Sequence, residues 1–196
     1  VFLVFGAGSA GAAILDLGLP WSTLIQVSYA AITKPVLIAI PLFIFSGLAM
    51  LCGGILSRLV HMTTTLVGHW PGGLAIGMVL TMGFFAAFCG SILAAITAVG
   101  TIMMPKMIEQ GYPPAFVIVL AASAALLEAL IPPSNAAIVF SALTSVPVSK
   151  TFAAGILPGL VLMVLLIILC VWRCRHIRMA SKATPAEVWQ AVKAAA

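Results

Sequence analysis

Between Arg58 and Lys106 the chain carries no Asp, Glu, Lys or Arg. Three more uncharged stretches frame this one: residues 35–57 after Lys34, 129–149 between Glu128 and Lys150, and 151–172 before Arg173. A helix needs about 20 apolar residues to cross the hydrocarbon core of a bilayer, so the pattern restricts the chain to an all-α integral membrane fold. Composition agrees: 63% of the residues are hydrophobic, 7% are charged, and the mean hydropathy is +1.27. Soluble domains are about 45–50% apolar and about 25% charged. The apolar–polar alternation of barrel strands is absent. The net charge of +5 is no nucleic-acid footprint, because Arg173, Arg175 and Arg178 flank a span, as the positive-inside rule requires. Cys52 and Cys89 stand alone, and Cys170 and Cys174 share an apolar helix, so neither structural zinc nor a disulfide framework is expected.

The spacing divides the chain. Residues 1–15 read as a partial transmembrane span whose start lies upstream, which makes the sequence part of a longer protein, and 16–34 as a connecting, interfacial segment. Residues 35–57 and 152–178 read as transmembrane helices. The stretch 71–106 opens at Pro71-Gly72-Gly73 and closes at Pro105-Lys106. Its roughly 33 apolar residues would make a helix of about 50 Å, too long for one crossing and too short for two. A re-entrant hairpin fits, with arms at 73–88 and 92–105 and a tip at Cys89-Gly90-Ser91; one long, kinked helix is the alternative. Residues 115–145 contain Ile131-Pro132-Pro133-Ser134-Asn135. Two consecutive prolines remove two amide donors and disfavour helix just before them, so a transmembrane helix broken into 115–130 and 135–145 is expected. Residues 184–196 read as the start of an amphipathic linker helix, with Thr184 as cap and Pro185 in its first turn.

Irregular backbone at membrane depth is tolerated only where it is buried in protein or lines a cavity. Both interruptions are therefore candidate sites. Carbonyls freed by a broken helix coordinate cations, while the N-terminus of the next half-helix favours anions. The candidate cation ligands are Gly90 and Ser91 at the tip and Ile131, Pro132, Pro133, Ser134 and Asn135 at the break. Glu128, the one acid expected inside the membrane, either binds a coupling cation or proton, or pairs with Ser123 or Asn135 and braces the break. His61, His69 and Thr63 are assigned to a polar connection, with Thr63 inert to substitution. Gly47, Gly53 and Gly54 are assigned to close helix packing. With a hairpin that does not cross, Arg58, Lys106 and Arg173/Arg175/Arg178 share the cytoplasmic face, and Trp21, Trp70 and Trp172 lie near span ends. No enzymatic activity is expected. Asp16 is the one Asp in the chain, which excludes a two-aspartate intramembrane protease, and no membrane-buried His is expected to activate a Ser.

The runs PLFIFSGLAMLCGGILSRLVHMTTTLVGHWPGGLAIGMVL, FFAAFCGSILAAITAVGTIMMPKMIEQGYPPAF, IPPSN and LTSVPVSKTFAAGILPGLVL resemble the first repeat of the large membrane subunit of TRAP (tripartite ATP-independent periplasmic) transporters. The resemblance covers about residues 20–180 and is most specific in VGHxPGGLA, Gly-Tyr-Pro-Pro and Ile-Pro-Pro-Ser. It implies half of an inverted-repeat elevator transporter in the bacterial inner membrane, with the segment near 173–178 cytoplasmic. It also implies sodium-coupled uptake of a small organic anion, no cofactor beyond the sodium ion, and two partners: a small membrane subunit and a periplasmic substrate-binding protein. Gly90-Ser91 matches the family's hairpin tip, and Ile131-Pro132-Pro133-Ser134 its broken-helix motif. Two positions depart from the family pattern: Ile92, where a second Ser or a small residue is frequent, and Glu128, near which a Gly is common. The rival readings are a citrate-type symporter that needs no binding protein, against which VGHxPGGLA argues, and a non-transporting anchor or assembly subunit.

Overall fold

The computed structural model describes residues 33–175 and single positions between 20 and 30. The partial span at 1–15, most of the connection 16–34 with Trp21, residues 176–178 with Arg178, and the linker helix at 184–196 lie outside the described residues.

A 3-10 turn at Pro35–Ile38 leads into α1 (Ala39–Cys52). There follow α2 (Ile55–Val67), α3 (Gly73–Cys89), α4 (Ile92–Glu109), α5 (Pro114–Ala125), α6 (Leu127–Leu130), α7 (Asn135–Thr144) and α8 (Val148–Arg173). No strand occurs among the described residues. Pro35–Cys52, α4 and α8 are each long and apolar enough to cross a membrane, and Pro114–Leu130 with Asn135–Thr144 qualifies as one span bent by 41°. On α8 a belt of Leu157, Leu160, Val161, Val164, Leu165 and Ile168 is exposed. So large an apolar surface marks a face that meets lipid or other protein.

α3 is the axis of the bundle. Ala75, Ile76, Met78, Val79, Met82, Phe85 and Ala86 along it are all buried, so it is apolar on every side, as a central helix must be. α2 runs antiparallel beside it, with Thr63 opposite Thr81 and Thr64 over Gly77. α4 returns on another face, bringing the Met103 methyl back to Gly77. The tip of Met163 from α8 reaches Gly83.

Three boundaries differ from the sequence-based expectation. The first span ends at Cys52 rather than 57, because Gly54 adopts φ +70 and turns the chain; that left-handed conformation suits Gly alone at little cost. Residues 58–67, expected within a polar connection, belong to a helix that starts at Ile55, with Leu56, Leu59, Val60 and Thr63 buried on one face. Its hydroxyls disguised it: Thr63, Thr64 and Thr65 bond back to the carbonyls of Leu59, Val60 and His61, so they satisfy themselves within the helix. Finally, α4 continues through Pro105 to Glu109. Lys106 lies in its last turn, where a cation complements the helix dipole.

The two ends of the bundle are distinct. At one end, Gly72 packs against Cys170 of α8 and Cys174 just past its end, 2.8 Å separating the Cys174 Cβ from where a Gly72 Cβ would stand. Tyr112 is buried beside the same two thiols, and burial, then the thiols, push its phenol up to about 12. Lys106, Arg173 and Arg175 therefore share this end. At the other, Lys34 donates to the Ala142 carbonyl near the C-terminus of α7, and Ser141 and Thr151 share a hydrogen bond of 2.8 Å.

Thr63 is thus no inert connector: it is fully buried, and its Oγ1 lies 2.6 Å from that of Thr81. Thr63→Val should cost about 0.5–1.5 kcal/mol, the net worth of one interhelical hydrogen bond. The exposed Thr97 should tolerate Val within about 0.5 kcal/mol. Thermal unfolding of the full-length protein in detergent, run as a double-mutant cycle with Thr81→Val, measures the coupling; independent, additive effects would refute it.

Candidate functional site: the hairpin tip and the broken helix

The turn between α3 and α4 consists of two residues with opposite backbone demands. Gly90 has φ +62, and Ser91 is extended and caps α4 without a side-chain hydrogen bond. A Cβ on Gly90 would lie 2.3 Å from the Pro133 carbonyl oxygen, so glycine is required there for space as well as for conformation.

The surface met by the tip is the interruption between α6 and α7. Ile131 is extended and ends α6, the Pro132–Pro133 bond is cis, and Ser134 is extended and caps α7. The Ser134 hydroxyl accepts the Ala137 N–H at 3.3 Å, an ordinary N-cap bond. The Asn135 N–H donates to the Gly90 carbonyl at 3.3 Å. Tip and break are therefore joined at two points: Gly90 against the Pro133 carbonyl, and Asn135 bonded to Gly90.

α8 backs the joint from the other side. A Cβ on Gly155 would stand 2.4 Å from the Leu130 carbonyl oxygen, and Gly159 meets the Ile131 side chain. Glycines four apart let two helices approach closely, and this small-xxx-small spacing was a signal that the sequence reading passed over. α1 approaches as well, with Gly47 seated on the Cys89 side chain. Positions 155–159 lie about 10–17 Å along α8 from Val148 and about 21–27 Å from Arg173, at 1.5 Å per residue. The tip thus stops within the length of α8.

Four helix ends converge here. α3 and α6 present C-termini, whose unpaired carbonyls attract cations; α4 and α7 present N-termini, which attract anions. Between them lies a cleft of about 210 Å³, lined by Gly90, Ser91, Ile92, Ala129, Ser134 and Asn135 among others. Of the expected ligands, Gly90, Ser91, Pro133, Ser134 and Asn135 come together. Pro132 sits within the break, while the Ile131 side chain turns towards α8. The Asn135 Oδ1 is buried without a hydrogen-bond partner. Among the described residues no cluster of three or more His, Cys, Asp or Glu could hold a metal ion.

Glu128 lies on α6, one turn before the break, and is fully buried. Neither carboxylate oxygen has a hydrogen-bond partner, so the expected pairing with Ser123 or Asn135 is not made. Instead the carboxylate faces the Gly90 and Ser91 amides without closing a bond of ordinary geometry, and it lies close to Cys89.

Comparison with known proteins gives a family and several relatives. The family described as "Tripartite ATP-independent periplasmic transporter, DctM component" matches residues 1–196. The chain is 44% identical over 132 residues to the C4-dicarboxylate TRAP transporter large permease protein DctM of Pseudomonas aeruginosa, covering 67% of the chain and 31% of that relative. It is 36% identical over 160 residues to the isethionate TRAP transporter permease protein DctMQ of Oleidesulfovibrio alaskensis, covering 81% of the chain and 25% of the relative. With the ectoine/5-hydroxyectoine TRAP transporter large permease protein UehC of Ruegeria pomeroyi it shares 38% over 143 residues, 73% of the chain and 33% of the relative. The chain thus spans between a quarter and a third of these relatives' length. The family match over the whole chain and these identities lead to one conclusion: this chain belongs to the DctM component family of the tripartite ATP-independent periplasmic transporters.

Proposed function

We propose that the chain is the first-repeat part of a TRAP transporter large subunit, which takes up a small organic anion with sodium and is not an enzyme. The anion, of carboxylate or sulfonate class, is delivered by a periplasmic binding protein, and a small membrane subunit completes the transporter. No ATP is consumed, and the protein resides in the bacterial inner membrane. One observation carries this reading: the seating of Gly90 on the Pro133 carbonyl, with Asn135 bonded back to Gly90. It gathers carbonyls, hydroxyls and helix ends from two broken segments, which is how secondary transporters build ion sites at mid-membrane. The class of cargo rests on the C4-dicarboxylate and isethionate named for two relatives. An elevator movement of the hairpin-bearing repeat against the membrane fits the glycine-rich contacts around it.

The re-entrant reading of α3 and α4 is supported by the tip's level on α8, short of the Val148 end. Lys106, Arg173 and Arg175 then lie in the cytoplasm, and Lys34 and Lys150 on the far face, whereas Arg58, expected on the cytoplasmic face, lies in the first turn of α2, at its end away from Gly73. In the full-length protein, Trp70→Cys and Gln110→Cys should both be labelled by a membrane-impermeant maleimide from the cytoplasmic side. Labelling from opposite sides would show that the hairpin crosses.

Sodium binds best to several hard oxygen ligands, and Ser91 offers a hydroxyl that no cap bond engages. Ser91→Ala should lose about 1–3 kcal/mol of ion binding, a shift of roughly 5- to 150-fold in the sodium midpoint. Ser134→Ala should shift the midpoint too, and it should also destabilise α7 by about 0.5–2 kcal/mol through the lost cap. Thr97→Ala serves as the unaffected control. Uptake into proteoliposomes containing all three components, measured against external sodium, gives the midpoints. An unmoved midpoint in Ser91→Ala at normal expression would sink this site.

A further inference from the structure

The deepest unpaired charge among the described residues is the Glu128 carboxylate, and the transport reading above leaves it without a task. Both its oxygens are buried and without a hydrogen-bond partner. A carboxylate so placed is strongly unfavourable unless it takes up a proton, is paired or holds a cation, and most unfavourable of all at membrane depth. No Lys or Arg lies between Lys106 and Lys150 in sequence. The groups facing the carboxylate are the Gly90 and Ser91 amides and the Cys89 side chain, all belonging to the hairpin tip. The Asn135 Oδ1, a second buried oxygen without a partner, belongs to the residue that bonds the tip from the other side of the break. Unsatisfied oxygen therefore flanks the tip on both the α6 and the α7 side, and on the α6 side it belongs to an ionisable carboxyl group.

We propose that Glu128 is the anionic ligand of the cation site between hairpin tip and broken helix, so that a bound alkali cation is neutralised by this carboxylate rather than held by neutral oxygens alone. The inference rests on the sodium-site reading above and adds a charged ligand to it. The cation draws α6 and the tip together through oxygens alone, because the Gly90 and Ser91 amides that face the carboxylate are donors and cannot ligate it. Binding of a monovalent ion then leaves the site neutral in the low-dielectric interior, where a net charge is costly.

Two measurements on the full-length large subunit, purified with its small subunit, test this. In the first, the sodium midpoint of thermal stabilisation is read in sodium chloride, with choline chloride holding ionic strength constant. Glu128→Gln should raise that midpoint at least tenfold, and Glu128→Asp, which keeps the charge but withdraws it by one methylene, should recover part of the loss. In the second, the wild-type protein is treated with dicyclohexylcarbodiimide and the adduct is located by mass spectrometry. Glu128 should be modified in choline and protected in sodium. A Glu128→Gln midpoint within twofold of wild type, while Ser91→Ala still shifts it, overturns the role of Glu128 and leaves the tip-and-break site standing. If neither substitution moves the midpoint, both readings fall. Should Glu128→Gln fail to fold, the labelling decides: protection by sodium supports the ligand role, whereas unprotected labelling, or no labelling in choline, overturns it.

Discussion

Everything at the centre of this structure depends on one backbone approach, that of Gly90 to the Pro133 carbonyl. A single methyl group on residue 90 would push the two segments apart. With the methyl absent, two interruptions that are distant in sequence share one cleft, and each satisfies part of the other's backbone. The Asn135 amide, freed at the start of α7, finds the Gly90 carbonyl, freed at the end of α3. Lipid offers unpaired backbone groups no hydrogen-bond partners, so neither interruption would be tolerable at membrane depth without the other.

The approach in turn depends on how tightly α8 backs it. Gly155 sits on the Leu130 carbonyl and Gly159 beside Ile131, which fixes the end of α6 and hence the direction in which Glu128 points. Ser134 fixes the start of α7 through its cap, and Lys34 reaches the carbonyl of Ala142 near the other end. The short α7 is held at both ends and buries one face through Ile138, Ser141 and Ala142, while Val139, Phe140 and Leu143 on the other are exposed.

Much of this could be read from the residues, for identifiable reasons. Pro132-Pro133 cannot lie inside a helix, so an interruption there follows from covalent geometry alone. A long uncharged run bounded by Pro-Gly-Gly and Pro-Lys is too short for two crossings, and Gly90-Ser91 is its natural turning point. What sequence could not supply was mutual position, because nothing in either motif says that Gly90 faces Pro133 rather than lipid. α2 was missed for a different reason: its hydroxyls and Arg58 read as polar, whereas the threonines bond their own helix and bury one face. Thr63 was misjudged with it. Glu128 was legible as an anomaly, but the candidate partners Ser123 and Asn135 were chosen by proximity in sequence, and the carboxylate turns to a different helix pair.

Glycine contacts at the hairpin are of two mechanical kinds. At Gly72, Gly73 and Gly90, and again at Gly155 on α8, the opposing atoms include main-chain carbonyls. These contacts are hard stops, with no rotamer available to relieve an added atom. At Gly83 the opposing atom is instead the terminal methyl of Met163, the end of a long thioether chain that swings aside readily. That contact is a cushion. The hard stops lie at the base and the tip of the hairpin and against the broken helix, and the cushion lies midway along α3. A hairpin mounted this way is gripped most firmly at its ends.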